Sequence, residues 1–285
     1  MNCRFYEYLL IATVLTACAS AGQSDRSMNL EQSVCGLKEP LLFWLWSNQA
    51  GSPDANRLRG LSNVVDISFR SVDGRTLHGY QLAANTSSRE SLTSRPKGYL
   101  LVIQGNAMLA DQILPEFSSY AEAGYDVYIY DYRGYGRSEG KRRLKAIVND
   151  YKAIITSLNA GPYEQKLVYA MSLGGIVLLD ALSDELELDR VVIDSSPSRL
   201  STYGCPVSYD PVNHLPLDCS NFMFIVGKQD RVVSPEMSWE MVEKAGQRGA
   251  QIQIDPEYAH PFMDSNWTVY QRRMSMIEEF LLSKQ

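Results

Sequence analysis

The stretch around Ser172 constrains the fold of this chain more than any other feature of its sequence. Residues 167–171 form an apolar run typical of a buried strand, and residues 176–182 form a run that favours a helix. A strand that turns into a helix within four residues strains the backbone and holds the side chain at the turn clear of both elements. Gly174 and Gly175 allow the two elements to approach closely. The pattern predicts a nucleophilic serine; a buried serine in an ordinary βα turn is the alternative interpretation.

Length and composition limit the classes of protein to consider. The chain has 285 residues, compatible with one α/β domain, and its 45% hydrophobic and 21% charged content is ordinary for a globular protein. A net charge of −6 argues against a nucleic-acid partner, because such a protein needs a basic face. The histidines and cysteines show no metal-ligand spacing, and no Gly-Lys-Ser/Thr phosphate loop occurs, so we expect no metal and no other cofactor.

Apolar runs along the rest of the chain alternate between strand and helix patterns. This alternation predicts an α/β fold with a mostly parallel sheet flanked by helices. Asp73 and Gly74 separate the first two strand patterns and predict an N-terminal antiparallel hairpin. We expect one domain over residues 62–285, with a short lid at about 195–220. The predicted strands are 65–72, 77–82, 98–104, 127–130, 167–171, 190–193, 222–226 and 250–254, and the predicted helices include 115–123, 144–158, 176–182, 235–246 and 270–281.

A serine nucleophile needs a base, which is usually histidine because the pKa of imidazole lies near the working pH. His260 follows the last predicted strand, and catalytic groups gather at the carboxyl edge of a parallel sheet. His78 lies within a predicted strand and His214 lies in the lid, so we expect surface or structural roles for both. His260 is therefore the predicted base.

The third member of such a site is a carboxylate that orients the imidazole and stabilises its protonated form. Asp230, just past strand 222–226, is the predicted acid, and Asp194, which also follows a strand, is the alternative. The negative oxygen of the transition state needs backbone donors. We expect these to be the N–H of Leu173, at the start of the helix, and the N–H of Asn106, in the loop after the first buried strand.

The order of Ser172, Asp230 and His260, each after a strand, resembles the catalytic triad of the α/β-hydrolase superfamily. The sequence Gln-Gly-Asn at 104–106 is similar to the His-Gly-x oxyanion loop of that family. The resemblance covers residues 62–282 and implies the fold and the site residues of a serine hydrolase.

The segment 131–138, Asp-Tyr-Arg-Gly-Tyr-Gly-Arg-Ser, is similar to the family's turn after the next strand, and the resemblance implies that its arginine and glycines are structural. Two residues depart from the family pattern. Ala170 stands where the turn usually has glycine, and Gln104 replaces the oxyanion-loop histidine. Because alanine is nearly as small as glycine and position 104 mostly supports the loop, we expect a working site.

The resemblance implies acyl transfer to water, in which Ser172 attacks an ester, thioester or amide carbonyl and water then hydrolyses the acyl-enzyme. A serine at the turn excludes the epoxide hydrolases and dehalogenases of the superfamily, which generally use aspartate. The chain also lacks the large lid or propeller of the peptidase branches. We expect a small-molecule or lipid-like ester or thioester substrate. A catalytically idle binding protein of the envelope and a peptidase or amidase are the alternatives, and the oligomeric state is not predicted.

The N-terminal segment indicates export. Residues 9–17 form an apolar run of signal-peptide length, and Leu-Thr-Ala-Cys at 15–18 resembles the bacterial lipoprotein box, where cleavage precedes a lipidated cysteine. We predict a signal peptide over 1–17, a lipidated tether and N-terminal segment over 18–61, and a membrane anchor at Cys18. Because alanine follows the cysteine, the resemblance implies the outer membrane, with the chain facing the periplasm. An ordinary secretory signal cleaved nearby is the alternative.

Export places the chain in an oxidising compartment, where disulfides persist. Cys205 and Cys219 flank a loop rich in proline and aspartate, so we favour that pair. Cys35 is then an odd thiol, or it pairs with one of the other two instead.

The sequence Leu-Leu-Phe-Trp-Leu-Trp at 41–46 is unusually aromatic. One interpretation is a segment that packs over the core of the domain. The other is an apolar patch at the membrane interface near the lipid anchor, or one wall of an acyl pocket.

Overall fold

A computed structural model describes residues 30–85, 95–182 and 186–283. Its strands are β1 (Val64–Arg70), β2 (Thr76–Leu82), β3 (Gly98–Ile103), β4 (Tyr125–Tyr130), β5 (Gln165–Met171), β6 (Arg190–Asp194), β7 (Phe222–Gly227) and β8 (Gln251–Asp255). In the described ranges these strands form one sheet in the order β1-β2-β4-β3-β5-β6-β7-β8. β2 pairs antiparallel with β1 and β4, and the other neighbours are parallel. The predicted fold class, including the antiparallel hairpin, is confirmed.

Helices cover both faces of this sheet. They are α1 (Lys38–Ala50), α2 (Ala110–Ile113), α3 (Ser118–Glu122), α4 (Leu144–Asn159), α5 (Leu173–Ala181), α6 (Pro235–Gln247) and α7 (Trp267–Leu282). Helices α1, α4, α5 and α6 contribute to the core on one face, and α2, α3 and α7 contribute to the core on the other. Along β3, Tyr99, Leu101 and Ile103 join the first core, whereas Leu100 and Val102 join the second. Burial on both faces explains why the central strands are continuous apolar runs.

The segment between β6 and β7, predicted as the lid, contains short 3₁₀ helices at Ser201–Tyr203, Val207–Tyr209 and Pro211–Asn213. Because β6 and β7 are parallel, this segment leaves the carboxyl edge of the sheet and returns to the amino edge before β7 begins. Its two ends therefore lie at opposite edges of the sheet.

The predicted disulfide between Cys205 and Cys219 is wrong. Cys35 is bonded to Cys205, and Cys219 is a buried free thiol. The path of the lid explains the difference. Cys205 lies near the carboxyl edge, whereas Cys219 lies just before β7, where its N–H donates to the Arg248 carbonyl (2.8 Å). The two cysteines flank one loop of the lid in sequence, but they lie towards opposite edges of the sheet.

Residues 38–50, which contain the aromatic sequence, form α1 and pack on the domain. The Phe43 ring is buried in the first core. One carboxylate oxygen of Glu39 accepts hydrogen bonds from the N–H groups of Val34 (2.7 Å) and Cys35 (2.8 Å), and the other accepts from the Leu144 N–H (2.8 Å). Glu39 thus attaches the start of α1 to the start of α4.

The predicted signal peptide over 1–17 and the predicted lipidation at Cys18 lie outside the described residues. Within the three described ranges, no helix has both the length and the apolar character needed to cross a membrane. Anchoring of the chain to a membrane stays a prediction.

The Cys35–Cys205 bond gives a test that separates the observed pairing from the expected one. Reductant should lower the melting temperature of the wild-type chain, because the bond joins residues 170 apart and contributes about 5 kcal/mol in the chain-entropy model. The Cys219→Ala variant should keep this response to reductant, and the Cys35→Ala variant should lose it. Thermal unfolding followed by circular dichroism measures both. Loss of the response in Cys219→Ala together with its retention in Cys35→Ala would restore the Cys205–Cys219 pairing.

Candidate active site

The turn between β5 and α5 holds Ser172 in a conformation that few residues adopt. Its φ is 52° and its ψ is −117°, a positive-φ region in which a side chain is strained. The Ser172 N–H donates to the Asp194 carbonyl (2.8 Å), and the Ser196 hydroxyl donates to the Ser172 carbonyl (2.8 Å). These bonds fix a strand–turn–helix that presents the serine side chain at the carboxyl edge of the sheet.

Two glycines follow the serine because the backbone there approaches its neighbours closely. A Cβ at Gly174 would lie 2.0 Å from the Ile103 carbonyl oxygen, and a Cβ at Gly175 would lie 2.0 Å from Ser196 Oγ. Ala170, where the family pattern has glycine, is fully buried and keeps its place in the β5 ladder. Alanine at that position therefore fits without disturbing the sheet.

Asp230 and His260 form a buried hydrogen-bonded pair, with 2.8 Å between Asp230 Oδ2 and His260 Nδ1. Asp230 Oδ1 accepts two further bonds, from the N–H groups of Val232 and Val233, both at 2.8 Å. Burial alone would raise the pKa of Asp230, but the hydrogen bond and charge of His260, together with these N–H groups, outweigh burial and lower the pKa. A carboxylate held ionised in this way orients the ring and leaves Nε2 available as a base.

Ser172 and His260 line the same pocket, which has a volume of about 840 Å³. Its walls come from α1, the turn after β5, the lid and the loops that carry Asp230 and His260, and most of the lining residues are apolar. Among the described residues, no direct hydrogen bond joins Ser172 Oγ to the His260 ring, a common situation for a catalytic pair before substrate binds. The structure thus brings the three predicted residues together at one edge of the sheet.

Two backbone donors belong to residues that line this pocket. The N–H groups of Leu173 and Asn106 donate to no other group in the described part of the chain, and both residues line the pocket with Ser172. The Asn106 side chain is occupied, since its Oδ1 accepts from the Tyr135 hydroxyl (2.5 Å) and from the Ala107 N–H (3.0 Å). These bonds hold the loop in shape and leave the two predicted donors for a negatively charged oxygen.

Gln104 lies beneath this loop and is fully buried. Its side-chain Nε2 donates to the Met108 carbonyl (3.1 Å), and its main-chain carbonyl accepts a hydrogen bond from the Tyr132 hydroxyl. The residue that replaces the family's histidine therefore ties the two ends of the oxyanion loop to each other and to the turn after β4.

Asp194, the alternative acid, is engaged elsewhere. Its carboxylate accepts hydrogen bonds from Arg273 Nη2 (2.5 Å) and Nε (3.0 Å), and from the Tyr169 hydroxyl (2.9 Å). Both members of this ion pair are buried. Arg273, in α7, also donates to the carbonyl of Ala259, the residue before His260 (2.9 Å). Arg273 therefore joins the end of β6 to the loop that carries His260, the predicted base.

Sequence reasoning missed Arg273 because an identical residue precedes it. Arg272 is half-exposed and pairs with Asp255, whereas Arg273 is buried. Helical spacing is the signal that could have separated them. Arg273 lies four residues from both Val269 and Ile277, which are buried, so it belongs to the inner face of α7.

Arg133, in the turn after β4, is fully buried and forms ion pairs with Asp73 and Asp150, each at 2.6 Å. Asp73 lies in the hairpin turn and Asp150 lies in α4. Arg133 therefore links the hairpin, β4 and α4 beside the site.

The other histidines lie away from the pocket lining. His78 is in β2, and His214 Nε2 lies 2.9 Å from the Ser208 carbonyl within the lid. In the described ranges, no group of three histidine, cysteine or acidic side chains is arranged to hold a metal ion.

Replacement of Arg273 should destabilise the fold far more than the same replacement of its neighbour. Arg273→Gln leaves the buried Asp194 carboxylate without its cation, which costs about 3–5 kcal/mol. Arg272→Gln removes the ion pairs of a half-exposed guanidinium with Asp255 and Glu257 and should cost much less, because solvent screens this side chain. Urea unfolding of the two variants measures the difference. Equal losses would show that Arg273 does not hold these elements together.

The geometry has counterparts in known proteins. The family model for serine aminopeptidase, S33, matches residues 94–207, which contain the serine turn and the oxyanion loop. The uncharacterized protein YfhR of Escherichia coli K12 is 25% identical over 238 residues, which cover 78% of this chain and 81% of YfhR.

Two solved structures resemble the whole domain. The esterase Pf2001 of Pyrococcus furiosus matches with a TM-score of 0.62 and 18% identity, over 81% of this chain and 96% of the esterase. XC6422 of Xanthomonas campestris, an α/β serine hydrolase without lid, matches with a TM-score of 0.58 and 15% identity, over 79% and 98%. At these identities the likeness shows the fold. The strand order and these neighbours show that the chain has the α/β-hydrolase fold.

Proposed function

We propose that this protein is a serine hydrolase that cleaves a carboxylic ester or thioester through an acyl-enzyme on Ser172. The observation that carries the proposal is the hydrogen-bonded Asp230–His260 pair, whose histidine lines the same apolar pocket as the strained Ser172. The S33 family match and the hydrolase neighbours support hydrolase activity. The proposed reaction needs no cofactor.

Acylation begins when Ser172 Oγ attacks the carbonyl carbon of the substrate and His260 Nε2 takes the hydroxyl proton. The ring is then a cation, which the ionised Asp230 stabilises through Nδ1. The carbonyl oxygen becomes negative and accepts hydrogen bonds from the N–H groups of Leu173 and Asn106. When the tetrahedral intermediate collapses, the carbon–oxygen or carbon–sulfur bond breaks, and His260 returns the proton to the leaving alcohol or thiol.

Deacylation repeats these steps with water as the nucleophile. His260 takes a proton from water, the hydroxide attacks the acyl carbon, and the same two N–H groups stabilise the negative oxygen. The bond to Ser172 Oγ then breaks, the proton returns to the serine, and the carboxylic acid leaves.

The pocket favours an acyl group over a peptide N-terminus. An aminopeptidase needs an acidic group for the α-amine of its substrate, and among the described residues Glu39 is the only carboxylate that lines this pocket. Both Glu39 oxygens already accept hydrogen bonds from backbone N–H groups, so this carboxylate is occupied. The apolar walls suit the chain of a small-molecule or lipid-like acyl substrate.

A peptidase or amidase is the second candidate, because the matched family carries the description serine aminopeptidase. Parallel assays with p-nitrophenyl esters, acyl thioesters and aminoacyl anilides separate the candidates. Faster turnover of anilides than of either ester class would replace our proposal with the peptidase.

Loss of any triad residue should abolish most of the activity. We expect Ser172→Ala and His260→Ala each to lower kcat/KM for p-nitrophenyl esters by at least about a thousandfold, and Asp230→Asn to cause a similar loss, because the three residues act as a unit. The melting temperature of each variant checks that the fold survives. Retained activity in a folded variant would remove that residue from its role.

A fluorophosphonate, which reacts with activated serines, separates the enzyme from a catalytically idle binding protein of the envelope. Wild-type chain should be labelled and the Ser172→Ala variant should not. Folded wild-type protein that resists labelling would favour the binding protein.

We also propose that the chain is lipidated at Cys18 and anchored to the outer membrane, facing the periplasm. The sequence around Cys18 and the Cys35–Cys205 disulfide, which is typical of exported chains, support this proposal. Metabolic labelling with an alkyne-tagged palmitate should mark the wild-type chain and not the Cys18→Ala variant. Equal labelling of the two would refute lipidation at this residue.

A further inference from the structure

The exposed side of α1 is apolar. Leu41, Trp44 and Leu45 are 57%, 52% and 48% exposed, and their spacing of three and four residues puts Leu41 beside the other two. We call these three residues the α1 face. The only carboxylate in α1 is Glu39, which is buried, and its only basic residue is Lys38. A chain with a net charge of −6 thus presents a helix side without an exposed acid.

The α1 face stays exposed because α1 is held from its other side. The Phe43 ring is buried in the core, and Glu39 accepts the Leu144 N–H of α4 (2.8 Å). Just before the helix, Cys35 is bonded to Cys205 in the lid. With these attachments in place, the helix cannot turn to bury the α1 face.

The apolar character continues around the opening of the pocket. Leu42, Tyr203, Val232 and Met263 line the pocket and are between 39% and 62% exposed, so they lie where it meets solvent. They come from α1, the lid and the loops of the predicted acid and base. We call these four residues the apolar rim. Exposed apolar side chains grouped at the opening of an apolar pocket indicate an interaction site.

We propose that the α1 face and the apolar rim dock on a lipid bilayer, so that the pocket takes its acyl ester directly from the membrane. This inference rests on the proposed ester hydrolysis and names its substrate class, a long-chain acyl ester dissolved in a bilayer. Aromatic and aliphatic side chains on one side of a helix bind in this way at the boundary between headgroups and acyl chains.

The position of the surface favours a bilayer over a protein partner. A protein seated on the apolar rim would close the opening of the pocket, whereas a bilayer at the same place supplies acyl chains to it. A second copy of the chain would close the opening in the same way.

The predicted anchor brings the same surface within reach of a membrane. Cys18 lies 12 residues before Leu30, where the described fold begins (30 − 18). An extended chain spans about 3.5 Å per residue, so a lipid on Cys18 would keep Leu30 within roughly 40 Å of the bilayer. α1 begins eight residues after Leu30, at Lys38 (38 − 30).

The first test asks whether Trp44 enters the acyl region of a bilayer. The full chain is reconstituted in phosphatidylcholine vesicles whose acyl chains carry bromine, which quenches tryptophan fluorescence only at short range. We expect quenching in the wild type that is largely lost in Trp44→Phe. The control variant Trp239→Phe, which removes a tryptophan of similar exposure (54%) in α6, should keep it.

The second test asks whether docking supplies the substrate. Leu41→Glu places a charge on the α1 face, and Leu217→Glu makes the same change at an exposed residue before β7, at the opposite edge of the sheet. Leu41→Glu should lower hydrolysis of a long-chain ester dispersed in vesicles by about tenfold, because a charged side chain is disfavoured in the bilayer. It should leave hydrolysis of a water-soluble short-chain ester unchanged. Leu217→Glu should change neither.

Two results would overturn the docking. One is equal quenching in the wild type and in Trp44→Phe, and the other is an equal loss of both activities in Leu41→Glu. A dimer in which Trp44 is buried and unquenched by vesicles would replace the bilayer with a second copy. Quenching does not depend on catalysis. Quenching without hydrolysis of any ester would therefore refute the proposed function alone, and hydrolysis without quenching would refute the docking alone.

Discussion

The ion pair between Asp194 and Arg273 connects parts of the site that lie far apart in the chain. The Asp194 carbonyl accepts the Ser172 N–H, and its carboxylate binds Arg273, which holds the Ala259 carbonyl beside His260. Both charged groups are buried, so loss of Arg273 would leave the Asp194 carboxylate without its ion-pair partner inside the fold. The positions of Ser172 and His260, the predicted nucleophile and base, therefore depend on one buried interaction that contacts the segments of both.

Much of the fold could be predicted because its signals are local. Apolar runs of strand length alternate with helical patterns, and Asp73 and Gly74 mark the hairpin turn, where Gly74 has a φ of 82°. The serine turn was recognisable for the same reason, since Gly174 and Gly175 are needed where α5 approaches β3 and the segment after β6. Placing Ser172 with the predicted acid and base needed one further fact, that the carboxyl ends of parallel strands share an edge.

Other features could not be predicted because they depend on contacts between distant segments. The pairing of Cys35 with Cys205 depends on the path of the lid along the sheet, which sequence proximity to Cys219 does not reveal. The pattern of the aromatic sequence at 41–46 does not show which of its side chains are buried. In the fold, different side chains of α1 pack on the core, line the pocket and face solvent. Arg273 was missed for a related reason, because its role depends on its ion pair with Asp194, which is distant in the sequence.

The Cys35–Cys205 bond has a consequence for how the specificity of this fold can change. Both half-cystines line the pocket, one before α1 and one in the lid, so a covalent link fixes the spacing of two walls at that point. Substitutions at neighbouring lining positions such as Leu42 or Tyr203 can alter the shape and polarity of the cavity while this spacing is kept. For the proposed hydrolase, single exchanges in these walls can therefore change the acyl preference while the disulfide keeps the two walls at a fixed spacing.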